Sequence, residues 1–242
     1  MKFITQILAI CLVLILGDSI FAQDIHQHEQ WDQLVKANVT PEGDVNYKAF
    51  KTNEEKLDAY LKQLEQNPPK SSWTKNQKKA YLINAYNAFT VKLIVMHYPV
   101  ESIRAIDGRF SKPFTTAFAK IGDKEYSLDD IEKGMLLKMD DPRVHFAVNC
   151  ASESCPKLAD EAFLATTLDQ QLDQAAVEFV NSDKNQLSAS EVKLSKIFKW
   201  YASDFQAEGQ SVIDFINRYA EVSLSEEASI DYLDYSWKLN EL

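Results

Sequence analysis

Residues 80–96 are apolar on nearly every face of a helical projection, and a helix can sustain that only when protein covers it on most sides. The pattern predicts a long helix over residues 76–97, opened near Ser72 or Thr74 and closed before Pro99. Any fold for this chain must supply elements to cover that helix. Asn84 and Asn87 interrupt the apolar run three residues apart, so they share one face. A buried carboxamide needs partners. These two are expected either to satisfy neighbouring loop backbone or to line a cleft.

Other periodicities supply the cover. Leu57, Tyr60, Leu61 and Leu64 mark one stripe of a helix over residues 54–66, and Leu168, Leu172, Ala175, Ala176 and Phe179 mark another over 167–181. Trp31, Leu34 and Val35 mark a short helix near the start. Residues 118–126 read as a hairpin turning about Gly122-Asp123, and Ser127 to Asp130 as a capped start to a helix that carries Glu132. Residues 144–150 read as a short strand with His145, Ala147 and Asn149 on one face and Cys150 on the other. A hairpin over 186–194, short helices over 195–205 and 211–220, and a closing strand over 229–237 complete the pattern. The expectation is a single helix-rich α+β domain, its long buried helix packed on a small sheet of short strands.

Residues 1–22 stand apart. Lys2 precedes an almost unbroken apolar run, and Ser19-Ile20-Phe21-Ala22 puts small residues at −3 and −1 of a cut before Gln23. That is the layout of a cleaved secretory signal, and the run is shorter than the ~20 residues that span a bilayer. The chain is therefore expected outside the cytoplasm, periplasmic or secreted, without an integral membrane segment after cleavage. Residues 23–44 are then an N-terminal helix and turn, and 45–242 the main domain. Cleavage removes Cys11 and leaves Cys150 and Cys155. In an oxidising compartment a close pair favours a disulfide. The competing reading makes one sulfur a nucleophile, with Cys155 ahead because Pro156 suits the first position of a helix whose dipole would favour a thiolate.

With 26 basic against 36 acidic residues the formal charge is −10, which argues against a nucleic-acid partner. The six glycines form no phosphate-cradling motif, and His145, Cys150 and Cys155 match no standard zinc spacing. No cofactor and no metal are therefore expected, and the partner is read as a small molecule or peptide.

Several motifs carry a resemblance. Tyr81-Leu82-Ile83-Asn84-Ala85-Tyr86-Asn87 is followed by Ser127-Leu128-Asp129-Asp130-Ile131-Glu132 and by Asp141-Pro142-Arg143-Val144-His145 running on to Asn149-Cys150. Ser154-Cys155-Pro156, Ser195 to Phe205, and Tyr235-Ser236-Trp237-Lys238-Leu239-Asn240 complete the set. Together they resemble the family called domain of unknown function 547, from about residue 45 onward. The resemblance implies Asn84, Tyr86, Asn87, Glu132, His145, Cys150 and Cys155 as signature positions and supplies no reaction. The family's closing motif usually carries Asp and Ser where Ser236 and Lys238 stand here.

Two functions follow from these residues. In the first, a thiol-dependent hydrolase or acyl-transferase uses Cys155 or Cys150 as nucleophile and His145 as base, with Glu132 or an asparagine orienting the imidazole. In the second, a non-catalytic domain binds a peptide, sugar or small ligand. Cys150 and Cys155 then form a structural clip, and Asn84, Tyr86, Asn87 and Asn149 lie in a cleft edged by Trp200, Tyr201 and Trp237.

Overall fold

A computed structural model describes residues 24–242, so the expected signal segment, residues 1–22, lies outside the described residues. Four helices open the fold: α1 (Glu29–Asn38), α2 (Tyr47–Thr52), α3 (Glu54–Gln66) and α4 (Lys75–His97). A hairpin of β1 (Ala119–Ile121) and β2 (Lys124–Tyr126) leads into α5 (Leu128–Ile131), which continues as a π-helical turn, Glu132–Leu136. After a 3-10 turn, Pro142–Phe146, come α6 (Leu168–Val180), β3 (Gln186–Leu187) and β4 (Glu191–Leu194). The chain ends through α7 (Lys196–Trp200), α8 (Ala202–Phe205), α9 (Val212–Asn217) and β5 (Ser229–Tyr232). β3 pairs antiparallel with β4, and β4 pairs parallel with β5, Val192 opposite Ile230. The architecture is α+β, helix-rich, with two small sheets.

α4 is the axis. Thr74 opens it with a reciprocal capping box: its hydroxyl accepts the Gln77 N–H at 3.1 Å, and the Gln77 side chain accepts the Thr74 N–H at 2.9 Å. Helices α2, α3 and α5 and the π-helical turn cover it. The long helix thus packs chiefly on other helices, and the sheets lie to the side, because the apolar stripes of α2 and α3 already close its flanks.

Two hydrophobic clusters result. The larger surrounds α4 and takes in Trp31, Tyr47, Phe50, Tyr60 and Tyr81. The smaller is built on Phe146, Phe179, Phe198, Phe205 and Phe215. Phe146 lies nearly parallel to Phe179 at 5.1 Å and to Phe205 at 5.7 Å between ring centroids.

Two sequence expectations change here. Residues 144–150 are not a strand. Asp141 accepts the Arg143 N–H at 3.2 Å and Pro142 stands at the first helical position, so the run coils into a 3-10 turn. Arg143 then ties that turn to Asp141, Asp169 and Asp173, each at 2.9 Å. The closing strand stops at Tyr232, and after a last hydrogen bond from Leu233 to Leu194, residues 234–237 leave the sheet to run past the 150–155 loop.

Candidate active site

A cleft of about 630 Å³ opens where the two clusters meet, with Tyr86 and Val148 contributed by the α4 side and Ile197 and Tyr201 by the other. Three polar groupings reach it, through His145, Glu132 and the two cysteines.

The first is an imidazole and a carboxylate. The 3-10 turn buries His145 to 2% exposure, with its ring 4.1 Å from that of Tyr201 and 5.3 Å from Phe205. Nε2 lies 2.8 Å from Asp204 Oδ2, on α8. Burial pushes the His145 pKa down and Asp204 pulls against it, with burial winning. The ring is therefore neutral near pH 7, with Nε2–H donating to Asp204 and the lone pair on Nδ1.

The second surrounds Glu132. It begins the π-helical turn, is 6% exposed, and accepts the Tyr201 hydroxyl at 2.8 Å. Tyr86 on α4 is also hydrogen-bonded to it. Burial raises the Glu132 pKa despite those two donors. Glu132 does not orient the imidazole, as the sequence suggested; Asp204 does. Tyr201 links the two groupings, its face on His145 and its hydroxyl on Glu132.

The third is the sulfur loop. Cys150 is half-buried, and its Sγ lies 3.2 Å from Ser152 Oγ and 3.3 Å from the Tyr235 hydroxyl. Cys155 is buried, and its Sγ accepts the Cys150 backbone N–H at 2.9 Å. Burial alone would raise the Cys150 thiol. Hydrogen bonds from Cys155, Ser152 and Tyr235 outweigh it, and the thiol is lowered. Cys155 is pushed well above the usual thiol range by burial and by its hydrogen bond to Cys150.

The expected preference for Cys155 loses its ground. No helix follows Pro156, so the dipole that favoured Cys155 is missing. Nor are the two sulfurs joined in a disulfide: both are free thiols, hydrogen-bonded to each other. Among the described residues no hydrogen bond connects His145 to either sulfur, and both sulfurs line the cleft with it.

The asparagines do different work from a ligand site. Asn84 donates to the Phe163 carbonyl at 2.8 Å and accepts its N–H at 3.0 Å. Asn87 donates to the Ala147 carbonyl and accepts the Asn149 N–H, both at 2.9 Å. Asn149 in turn donates to the Pro156 carbonyl and accepts the Ala151 N–H, both at 2.8 Å. None of the three lines the cleft; each pairs with loop backbone because a buried carboxamide offers one donor and one acceptor in register with a peptide group. Asn87 and Asn149 hold the sulfur loop from behind, and Asn84 pins the chain at Phe163.

Tyr86, Trp200, Tyr201 and Trp237 do line the cleft. Trp200 is 49% exposed, and Tyr235 lies 4.8 Å from it and 4.9 Å from Trp237 between ring centroids. Sequence reasoning gave no site role to Asp204, Ser152 or Tyr235. Asp204 and Tyr235 lie within the motifs that carried the resemblance, and Ser152 lies between the two cysteines. Ser236 and Lys238 turn away to Glu153 at 2.9 and 2.7 Å, so the departure from the usual closing motif falls beside the cleft rather than in it.

Residues 70–180 match the family described as “Protein of unknown function, DUF547”. The resemblance therefore holds over the segment bearing Tyr86, Glu132, His145, Cys150 and Cys155, while α7, α8 and Tyr235 lie beyond it. No curated protein and no solved structure matches the chain.

Proposed function

We propose that this cleft performs thiol-dependent acyl transfer or hydrolysis, with Cys150 as nucleophile and His145, oriented by Asp204, as the proton carrier. The observation that supports it is the thiol itself. Cys150 sits in an aromatic-walled cleft with three hydrogen-bonding partners that favour its thiolate, beside a buried neutral imidazole tied to a carboxylate. His145 Nδ1 would take the Cys150 thiol proton as Sγ adds to an acyl carbonyl, which leaves an imidazolium. Collapse of the adduct forms a thioester and expels the leaving group, which takes a proton from the imidazolium. Water or an acceptor then attacks the thioester, gives its proton back to His145 Nδ1, and frees the thiolate. The Ser152 and Tyr235 hydroxyls are donors already close to Sγ and suit the developing oxyanion.

Export belongs to the same reading: the first 22 residues have the layout of a secretory signal, and no described helix is long and apolar enough to cross a membrane. Protein recovered from its host should begin at Gln23; recovery with residues 1–22 intact contradicts export by cleavage.

A second reading, a non-catalytic cleft for a small ligand or peptide, is favoured by the missing hydrogen bond between His145 and the sulfurs. A permanent Cys150–Cys155 disulfide belongs to that reading. p-Nitrophenyl acetate separates them. The catalytic reading requires release of p-nitrophenolate and an acetyl adduct on Cys150, abolished by Cys150→Ala and slowed by His145→Ala. No adduct, or an adduct elsewhere, leaves the binding reading standing.

A further inference from the structure

Resting on the cleft assignment above, we propose that its substrate carries a carboxylate, held by Arg104, and an apolar or ring-shaped body laid along Trp237 and Trp200. Arg104 lies in a 3-10 turn, Ile103–Ala105, beyond the end of α4. Its guanidinium carbon stands 4.7 Å from the centre of the Trp237 ring. Stacking of this kind uses the flat face of the guanidinium and leaves its N–H edge open to a planar anion.

Charge pairing isolates Arg104. Lys133, also on the cleft lining, is matched by Asp129 at 2.9 Å, and the neutral His145 adds no positive charge. Among the described residues no carboxylate forms an ion pair with Arg104, and no hydrogen bond uses its guanidinium. In a chain of net charge −10, a basic group at a cleft mouth without an acidic partner is a local attractor for anions.

The shelf beside it is aromatic. Trp237 stacks with Trp200 at 6.2 Å and 25°, and Phe114 lies 6.0 Å from Trp237. An acyl body resting there brings its carboxylate to Arg104 while its carbonyl enters the cleft that Cys150 lines. One unmatched cation suits one negative charge. Lys133 offsets Asp129 but not Glu132 on the same lining, so a singly charged carboxylate fits better than a dianionic phosphate.

Two arms test this on the full protein. In the first, Cys150 is alkylated by iodoacetate and by neutral iodoacetamide in wild type, Arg104→Ala and Arg104→Lys. The iodoacetate-to-iodoacetamide rate ratio should fall a few-fold in Arg104→Ala, as the cleft mouth loses its unmatched cation, and should return in Arg104→Lys, which keeps the charge. In the second arm, tryptophan fluorescence of Cys150→Ser follows hippurate, its neutral amide hippuramide, and inorganic phosphate. Hippurate should bind more tightly than hippuramide and lose that advantage when Arg104→Ala is added. An unchanged ratio, or hippurate binding no tighter than hippuramide, overturns the assignment. Phosphate competing as well as hippurate overturns the choice of carboxylate. Failure of iodoacetamide to modify Cys150 counts against the nucleophile alone, and the fluorescence arm still decides on Arg104.

Discussion

His145 Nε2 meets Asp204 Oδ2 at 2.8 Å, joining the 3-10 turn that carries the imidazole to α8, 59 residues further along the chain. The carboxylate fixes the neutral tautomer, and it is the one group that raises the pKa of a ring whose burial lowers it. Replacing the carboxylate with a carboxamide keeps an acceptor for Nε2–H and removes the charge.

Asp204→Asn should therefore lower the His145 pKa further, below its already depressed value, with little change of fold. Histidine ring resonances followed by NMR across pH measure it directly. An unchanged or higher His145 midpoint would show that Asp204 does not act electrostatically on the ring.

The asparagines of α4 separate stability from site geometry. Asn84→Ala and Asn87→Ala each leave one backbone donor and one acceptor buried without partners, a cost of about 3 kcal/mol in either case. Only Asn87 holds the backbone of Ala147 and Asn149, next to Cys150. Urea unfolding should thus show similar losses, whereas iodoacetamide alkylation of Cys150 should change in Asn87→Ala and not in Asn84→Ala. Equal effects on alkylation would remove Asn87 from any role in placing the sulfur.

Acid sensitivity is predicted to come from the start of the described chain. His28 is buried to 1% exposure at a positive φ of 47°, with Nδ1 2.8 Å from the Tyr60 hydroxyl and no partner for Nε2. Burial drives its pKa down to about 3; His26 adds to the shift and Asp24 opposes it. The unfolded chain takes up this proton near pH 6.5 and the folded chain only near 3. Stability from this group is thus full above about 6.5 and falls as pH drops toward 3, by about 2 kcal/mol at pH 5. His28→Asn, which tolerates the left-handed backbone, should lose about that much less than wild type between pH 7.5 and 5 in urea titrations. Equal losses in both would assign the acid sensitivity to other groups.

Periodic elements were legible in the sequence and tightly wound ones were not. The expected helix over residues 54–66 coincides with α3, and the one over 76–97 differs from α4 by a residue, because long apolar stripes and a capping threonine leave few alternatives. The apolar run around His145 is too short for period 2 to be told from a 3-10 turn, and the decisive signal was the Asp141-Pro142 pair before it. That misreading also set His145 and Cys150 on opposite faces of a strand. Asp204 and Tyr235 lie in segments read as a helix and a strand, but periodicity does not tell which distant side chains meet, and only the folded chain brings Tyr235 to Cys150.

The proposed reaction requires Cys150, and not Cys155, to be the reactive thiol, with its pKa lowered by its neighbours. The most direct measurement is the pH dependence of iodoacetamide alkylation with the modified residue identified by mass spectrometry, in wild type, Cys155→Ala and Tyr235→Phe. Modification should fall on Cys150 with a midpoint below the ordinary thiol value of about 8.5, rising in each variant as a hydrogen bond to Sγ is lost. Alkylation that reaches Cys155 first, or a wild-type midpoint at or above that value, would contradict it.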